Sequence, residues 1–131
     1  MRLLLDTHVA LWAVLGHPKL STKARRLILS DDAEVYVSVV SLWEIGIKRA
    51  LNRGGPDDMP LSAGAFETYC RAADYDFLAV TAAHALTASE LPLLHRDPFD
   101  RMLIAQAQSE PMRLLTVDRA MAAYRGDIEF V

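Results

Sequence analysis

Leu3-Leu4-Leu5-Asp6, near the start of the chain, is an apolar run of strand type that ends on a carboxylate. The same arrangement returns towards the other end, in Leu114-Leu115-Thr116-Val117-Asp118. Between them, Val35 to Val40 is β-branched and aromatic and reads as a second strand. Phe77 to Val80 predicts a short strand, Arg113 to Val117 another, and Ile128 to Val131 a terminal one. Helical patterns separate them. A short helix follows Asp6 through Val14, and Ser21 to Leu29 places Ala24, Leu27 and Ile28 on one side. Further helices are predicted from Ser41 to about Leu51, over Ser62 to Ala73 and over Thr81 to Ser89. Another starts at Asp97, with Pro98 in its first position, and the last covers Arg119 to Tyr124. Asn52-Arg53-Gly54-Gly55-Pro56 breaks the Ser41 helix and marks a loop. Strands alternating with helices predict an α/β sandwich around a mainly parallel sheet. No linker divides it, so residues 1–131 read as a single domain.

The composition narrows the class. A chain of 131 residues, 52% hydrophobic and 24% charged, is of globular type. At this length folding buries roughly two-thirds of the unfolded surface. The single cysteine, Cys70, excludes an internal disulfide framework and fits a reducing compartment. Asp6 and His8 interrupt the leucine-rich N-terminus, which carries no small-residue cleavage site. No apolar stretch is long enough to span a membrane. These features predict a soluble, cytoplasmic protein. The net charge of −3 lends no support to nucleic-acid binding by a broadly basic surface. An acidic nuclease needs metal ions and a local basic patch to hold its substrate.

The acids fall in a pattern. Ligands of open parallel sheets sit beyond the carboxyl ends of the strands. Asp6 and Asp118 directly follow strands, and Glu44 is expected in the first helical turn after the Val35–Val40 strand. Asp100 lies in the first turn of its own helix. Leu103, Ile104 and Ala107 follow at i+3, i+4 and i+7, so it stands at the end of an apolar face. Each acid taken singly also reads as a helix cap. Asp6 and Asp118 suit N-caps, and Ser41-Leu42-Trp43-Glu44 matches a capping box. Taken together, converging carboxylates repel one another unless cations neutralise them. Hard oxygen donors suit Mg²⁺ or Mn²⁺. Two such ions about 4 Å apart activate water and stabilise the leaving oxygen of a phosphodiester.

At these positions the sequence resembles the PIN-domain family, and within it the VapC-type toxins of bacterial toxin–antitoxin pairs. The resemblance rests on four segments, in the family's order over nearly the whole chain. They are Leu3 to His8, Val39 to Ile45, Asp97 to Ala107 and Leu114 to Asp118. The Asp97–Ala107 segment is the most specific. The resemblance implies a PIN-like α/β/α sandwich and a Mg²⁺- or Mn²⁺-dependent endoribonuclease acting on RNA. It also implies a homodimer, with a cognate antitoxin that blocks the acidic pocket. Carried over by position, Asp6 and Asp100 look like the principal metal ligands. Glu44 and Asp118 complete the ring, directly or through water.

Other candidates are less specific. Thr7 and Thr116 are beside two of the acids and either hydrogen-bond them, touch substrate or are plain strand-end threonines. Arg101, next to Asp100, is the preferred phosphate contact. His95, Arg96 and Arg119 flank the acidic segments, and Asp97 reads as the N-cap before Pro98. Lys48 and Arg49 follow Glu44 by one turn. His8, His17 and His84 show no metal-ligand spacing, and Trp12 and Trp43 are expected in the core. Three other readings stand beside the toxin. One is a housekeeping PIN nuclease of RNA processing. Another is a non-catalytic module with an acidic binding pocket. The third, a phosphotransferase with Asp6 as nucleophile, is disfavoured because His8 stands where such enzymes place a second Asp.

Overall fold

Leu3, Leu4 and Leu5 are fully buried, and the strand they build, β1 (Arg2–Leu5), is the middle of a five-stranded sheet. The computed structural model describes residues 1–131. β2 (Glu34–Ser38) and β4 (Arg113–Thr116) flank β1, while β3 (Asp76–Leu78) and β5 (Ile128–Phe130) form the edges. All neighbours are parallel, with Leu4 aligned between Tyr36 and Leu114. Parallel neighbours need crossovers, and helices supply them. α1 (Thr7–Leu15) and α2 (Thr22–Ile28) join β1 to β2, and α3 (Val39–Ala50) and α4 (Ala63–Ala72) join β2 to β3. α5 (Ala82–Glu90) and α6 (Pro98–Ser109) lead to β4, and α7 (Arg119–Ala122) leads to β5. This is the expected α/β/α sandwich with a parallel sheet.

The period of two along each strand divides the core between the two faces. Leu3, Leu5, Val35, Val37 and Leu115 pack with Val9, Ile45 and Phe66 on one side. Leu4 and Leu114 pack with Leu103, Ile104 and Met121 on the other. Free Cys70 is buried in the first cluster, where burial pushes its thiol up to about 12. No helix is long and apolar enough to cross a membrane.

Strand succession runs from β1 outward through β2 to β3, then returns to β4 on the other side of β1. The direction reverses between β1 and β4. Such a switch opens a crevice at the carboxyl ends of the strands.

Three expectations are corrected. Val39 and Val40 belong to α3 and not to the strand, because Ser38 caps the helix: its Oγ accepts from the Val40 N–H at 3.1 Å. A β-branched residue is penalised by crowding against the preceding helical turn, which the first turn lacks. The Ser41–Glu44 capping box therefore does not form, and Glu44 lies in the second turn. Trp43 is not a core residue, since it is 66% exposed and meets Phe99 edge to face at 5.4 Å.

Candidate active site

Asp6 continues the sheet for one residue beyond β1, with its N–H donating to the Leu115 carbonyl at 3.0 Å. Its side chain then serves two elements. Oδ1 accepts from the Val9 N–H at 2.8 Å and caps α1. Oδ2 accepts from the Thr116 hydroxyl at 2.6 Å and the Val117 N–H at 3.2 Å. Burial raises the Asp6 pKa, and the Thr116, Val9 and Val117 hydrogen bonds oppose that rise. Glu44 is as deeply buried. Its Oε1 accepts from the Thr7 hydroxyl at 2.6 Å, and its Oε2 accepts from Lys48 Nζ at 2.6 Å. Thr7 has only one hydroxyl proton. Ser41, 2.9 Å away, therefore donates to Thr7. The chain Ser41–Thr7–Glu44 locks α1 to α3.

Two further acids stand above this floor. Asp100 is in the first turn of α6, which Asp97 caps through the N–H groups of Phe99 and Asp100 at 2.8 and 3.2 Å. Asp118 caps α7 through the Ala120 N–H at 2.8 Å, and its own N–H donates to Thr116 Oγ1 at 3.0 Å. Asp118 Oδ2 and Asp100 Oδ2 both meet His95 Nε2, at 3.0 and 2.9 Å. Asp100 is 20% exposed and Asp118 40%, so the site grades from a closed floor to an open rim. Burial, helped by the charges of Asp97, Glu44 and Asp6, pushes Asp100 up to about 7, while His95 opposes the rise.

The four predicted acids therefore converge. Asp6, Glu44, Asp97, Asp100 and Asp118, with Lys48, line a cavity of about 100 Å³ at the carboxyl edge of the sheet. A larger groove of about 850 Å³, bordered by Leu91, Met112 and Tyr124, contains none of them. Capping does not keep Asp6 and Asp118 out of the cavity, because one oxygen caps and the other is turned to a side chain.

Thr7 and Thr116 are buried and hydrogen-bonded to Glu44 and Asp6, and Thr7 also lines the cavity. Arg101 is not in the pocket. Its guanidinium donates to the carbonyls of Ala88, Leu91, Pro92 and His95 at 2.8 to 3.3 Å. One residue along a helix is about 100° around it. When Asp100 faces the pocket, Arg101 faces the segment after α5. Arg119 lies over the Phe130 ring, 4.1 Å from its centroid. His95 was undervalued in the sequence, where it stands in an irregular segment with no periodicity to aim it.

The donors fit a hard divalent cation. Five carboxylates meet one lysine around a space of about 100 Å³, an excess of negative charge. Burial is the main cause of the rise at Asp100, and the neighbouring negative charges that add to it are charges a cation would neutralise. His95, Asp100 and Asp118 also bring potential ligand atoms within 4.8 Å of one another.

The family model described as "PIN domain" matches residues 3–127. No curated protein matches the chain in sequence. Among solved structures, the chain is similar to one in VapBC2 from Rickettsia felis bound to a DNA fragment from their promoter. The TM-score is 0.70 at 15% identity, covering 98% of each chain. It is also similar to a chain of a toxin–antitoxin complex from Klebsiella pneumoniae. Here the TM-score is 0.65 at 15% identity, over 96% of this chain and 94% of that one. At such identity the likeness is one of fold.

Proposed function

The chain belongs to the PIN domain family, and from that premise we propose that it is a Mg²⁺- or Mn²⁺-dependent endoribonuclease, the toxin of a toxin–antitoxin pair. The convergence of Asp6, Glu44, Asp100 and Asp118 on one cavity at the switch between β1 and β4 carries the proposal. The fold likeness to chains of two toxin–antitoxin complexes supports the biological role. A cognate antitoxin, a homodimeric assembly and a cytoplasmic location belong to the same reading.

Asp6 and Asp100 would be the principal holders of the cation, with Glu44 and Asp118 completing the acidic ring. When bound, a divalent ion in such a site supplies an activated water and charge stabilisation at the leaving oxygen of a phosphodiester. The chain's own groups set the stage. Thr116 and the Val117 N–H hold the Asp6 carboxylate in one orientation. Thr7 and Lys48 do the same for Glu44, and Lys48 also offsets one negative charge beside an anionic substrate. Asp118, at the open rim, is placed to accept a hydrogen bond from an entering water.

The test is cleavage of labelled total RNA by the purified protein with Mg²⁺ or Mn²⁺, beside an EDTA control and the Asp100→Asn variant. Fragments that require both the metal and Asp100 are expected. No cleavage by a folded, antitoxin-free, metal-bound preparation would point to the non-catalytic binding module.

A further inference from the structure

His95, beside the pocket, reaches two of its acids at once. Its Nε2 is 2.9 Å from Asp100 Oδ2 and 3.0 Å from Asp118 Oδ2. A nitrogen so placed has two roles open to it. Without its proton it is a metal ligand beside the two carboxylates. With its proton it is a donor to Asp118 Oδ2 that also crowds Asp100 Oδ2.

The other ring nitrogen decides between them. The Asp97 N–H points at His95 Nδ1, at 3.4 Å, so Nδ1 is an acceptor and the ring proton is on Nε2. Ligation through Nε2 requires the opposite tautomer, with an Nδ1–H facing the Asp97 N–H, donor against donor. The surroundings of the ring therefore favour the donor role.

The segment that carries the ring is pinned. The Tyr124 hydroxyl accepts from the N–H groups of Leu94 and His95 at 3.0 and 2.8 Å. The same hydroxyl donates to the Pro92 carbonyl at 2.6 Å, and Arg101 holds the carbonyls of Pro92 and His95. With the backbone held, only the side chain is left to move. It is 18% exposed, so a path towards solvent exists.

We infer that His95 is a built-in competitor for the metal, its Nε2–H donating to Asp118 Oδ2 while the ring stands 2.9 Å from Asp100 Oδ2, so that cation binding displaces the ring. Arg101 and Tyr124 are then the residues that position this competitor. The inference rests on the metal-dependent reading above, and it sets the affinity of that site below what its carboxylates alone would give.

Titration calorimetry with Mn²⁺ and with Mg²⁺ tests it, on the wild-type protein and on His95→Ala, His95→Gln and Asp100→Asn. Freed of this charged hydrogen bond, His95→Ala should bind either ion about tenfold or more tightly. His95→Gln, which keeps an amide donor, should fall between and serves if the alanine variant folds poorly. The ring ¹⁵N signals give a second readout. They should report Nε2–H before Mg²⁺ is added and no metal-bound nitrogen afterwards. Weaker binding by His95→Ala, or a metal-bound Nε2, would make His95 a ligand and overturn the inference. Unchanged binding would make it a bystander and overturn it too. If no variant, wild type included, binds either ion, the metal-dependent function itself fails.

Discussion

Asp6 and Asp100 face one cavity, yet the protein holds them by opposite means. Asp6, 4% exposed, accepts one hydroxyl and two backbone N–H groups, so its orientation is set by β4 and α1. Asp100, 20% exposed, has only the histidine ring at its Oδ2 and stands among other acids. The floor of the pocket is rigid and satisfied; the rim is charged and adjustable. A floor of this kind fixes where a ligand sits, while a rim of this kind decides whether the ligand is admitted and what must move to admit it.

The contrast breaks first if the two acids are replaced separately. Asp100→Asn should lower RNA cleavage by about 10²–10³-fold or more, as when a preorganised polar group is removed from a catalytic site. Its thermal stability should hold or rise, because a repelling charge disappears. Asp6→Asn should lose comparable activity and stability as well, since an amide nitrogen accepts no hydrogen bond and would face a backbone N–H on either side. Equal melting temperatures for the two variants would erase the distinction. Thr116→Val sharpens it further. This change leaves Asp6 Oδ2 with the Val117 N–H alone and should cost about 1–3 kcal/mol in denaturant unfolding. Cleavage should fall about 10–100-fold, as when an outer partner of a metal ligand is removed.

Arg101→Ala separates a structural arginine from a phosphate-binding one. It should destabilise the fold measurably and leave the salt dependence of RNA binding unchanged. A flatter salt dependence with unchanged stability would return Arg101 to the substrate.

The smallest effect concerns pH. Asp100 titrates at about 7 in the folded chain, against about 3.9 when unfolded, and the Asp6 pKa is also raised. Raised carboxyls mean that the folded state binds more protons over this window. The stability that Asp100 contributes is fully present below about pH 4 and is lost as pH rises through about 7, and Asp6 acts in the same direction. Chelator-treated protein should therefore melt lower at pH 8 than at pH 5.5. Asp100→Asn should flatten that difference, and Mg²⁺ should raise the melting temperature more at pH 8.

What the sequence made legible follows the same division. Asp6 and Asp118 could be placed because a strand end has a direction, and a parallel sheet collects its strand ends along one edge. Asp100 was legible because Leu103, Ile104 and Ala107 declare its helix face. Glu44 was found although its helix starts at Val39 and not at Ser41, since a shift of two residues still left it beyond β2. His95 and Arg101 were harder. The segment that carries His95 takes its shape from Tyr124 and Arg101, and no local pattern encodes a loop shaped from outside. Arg101 was misplaced because adjacency in sequence is not adjacency on a helix, and Trp43 was misplaced because an aromatic residue need not be inside.

The bond between Asp6 and Thr116 joins residues 110 positions apart. During synthesis the N-terminal acid must therefore wait for nearly the whole chain before its orienting partner exists. At about 5–20 residues per second that delay is on the order of ten seconds. An unfinished or prematurely terminated chain has no Thr116, no Asp118 and no complete pocket. With the function proposed above, the chain is thereby built to be inert towards RNA while its own message is still being read.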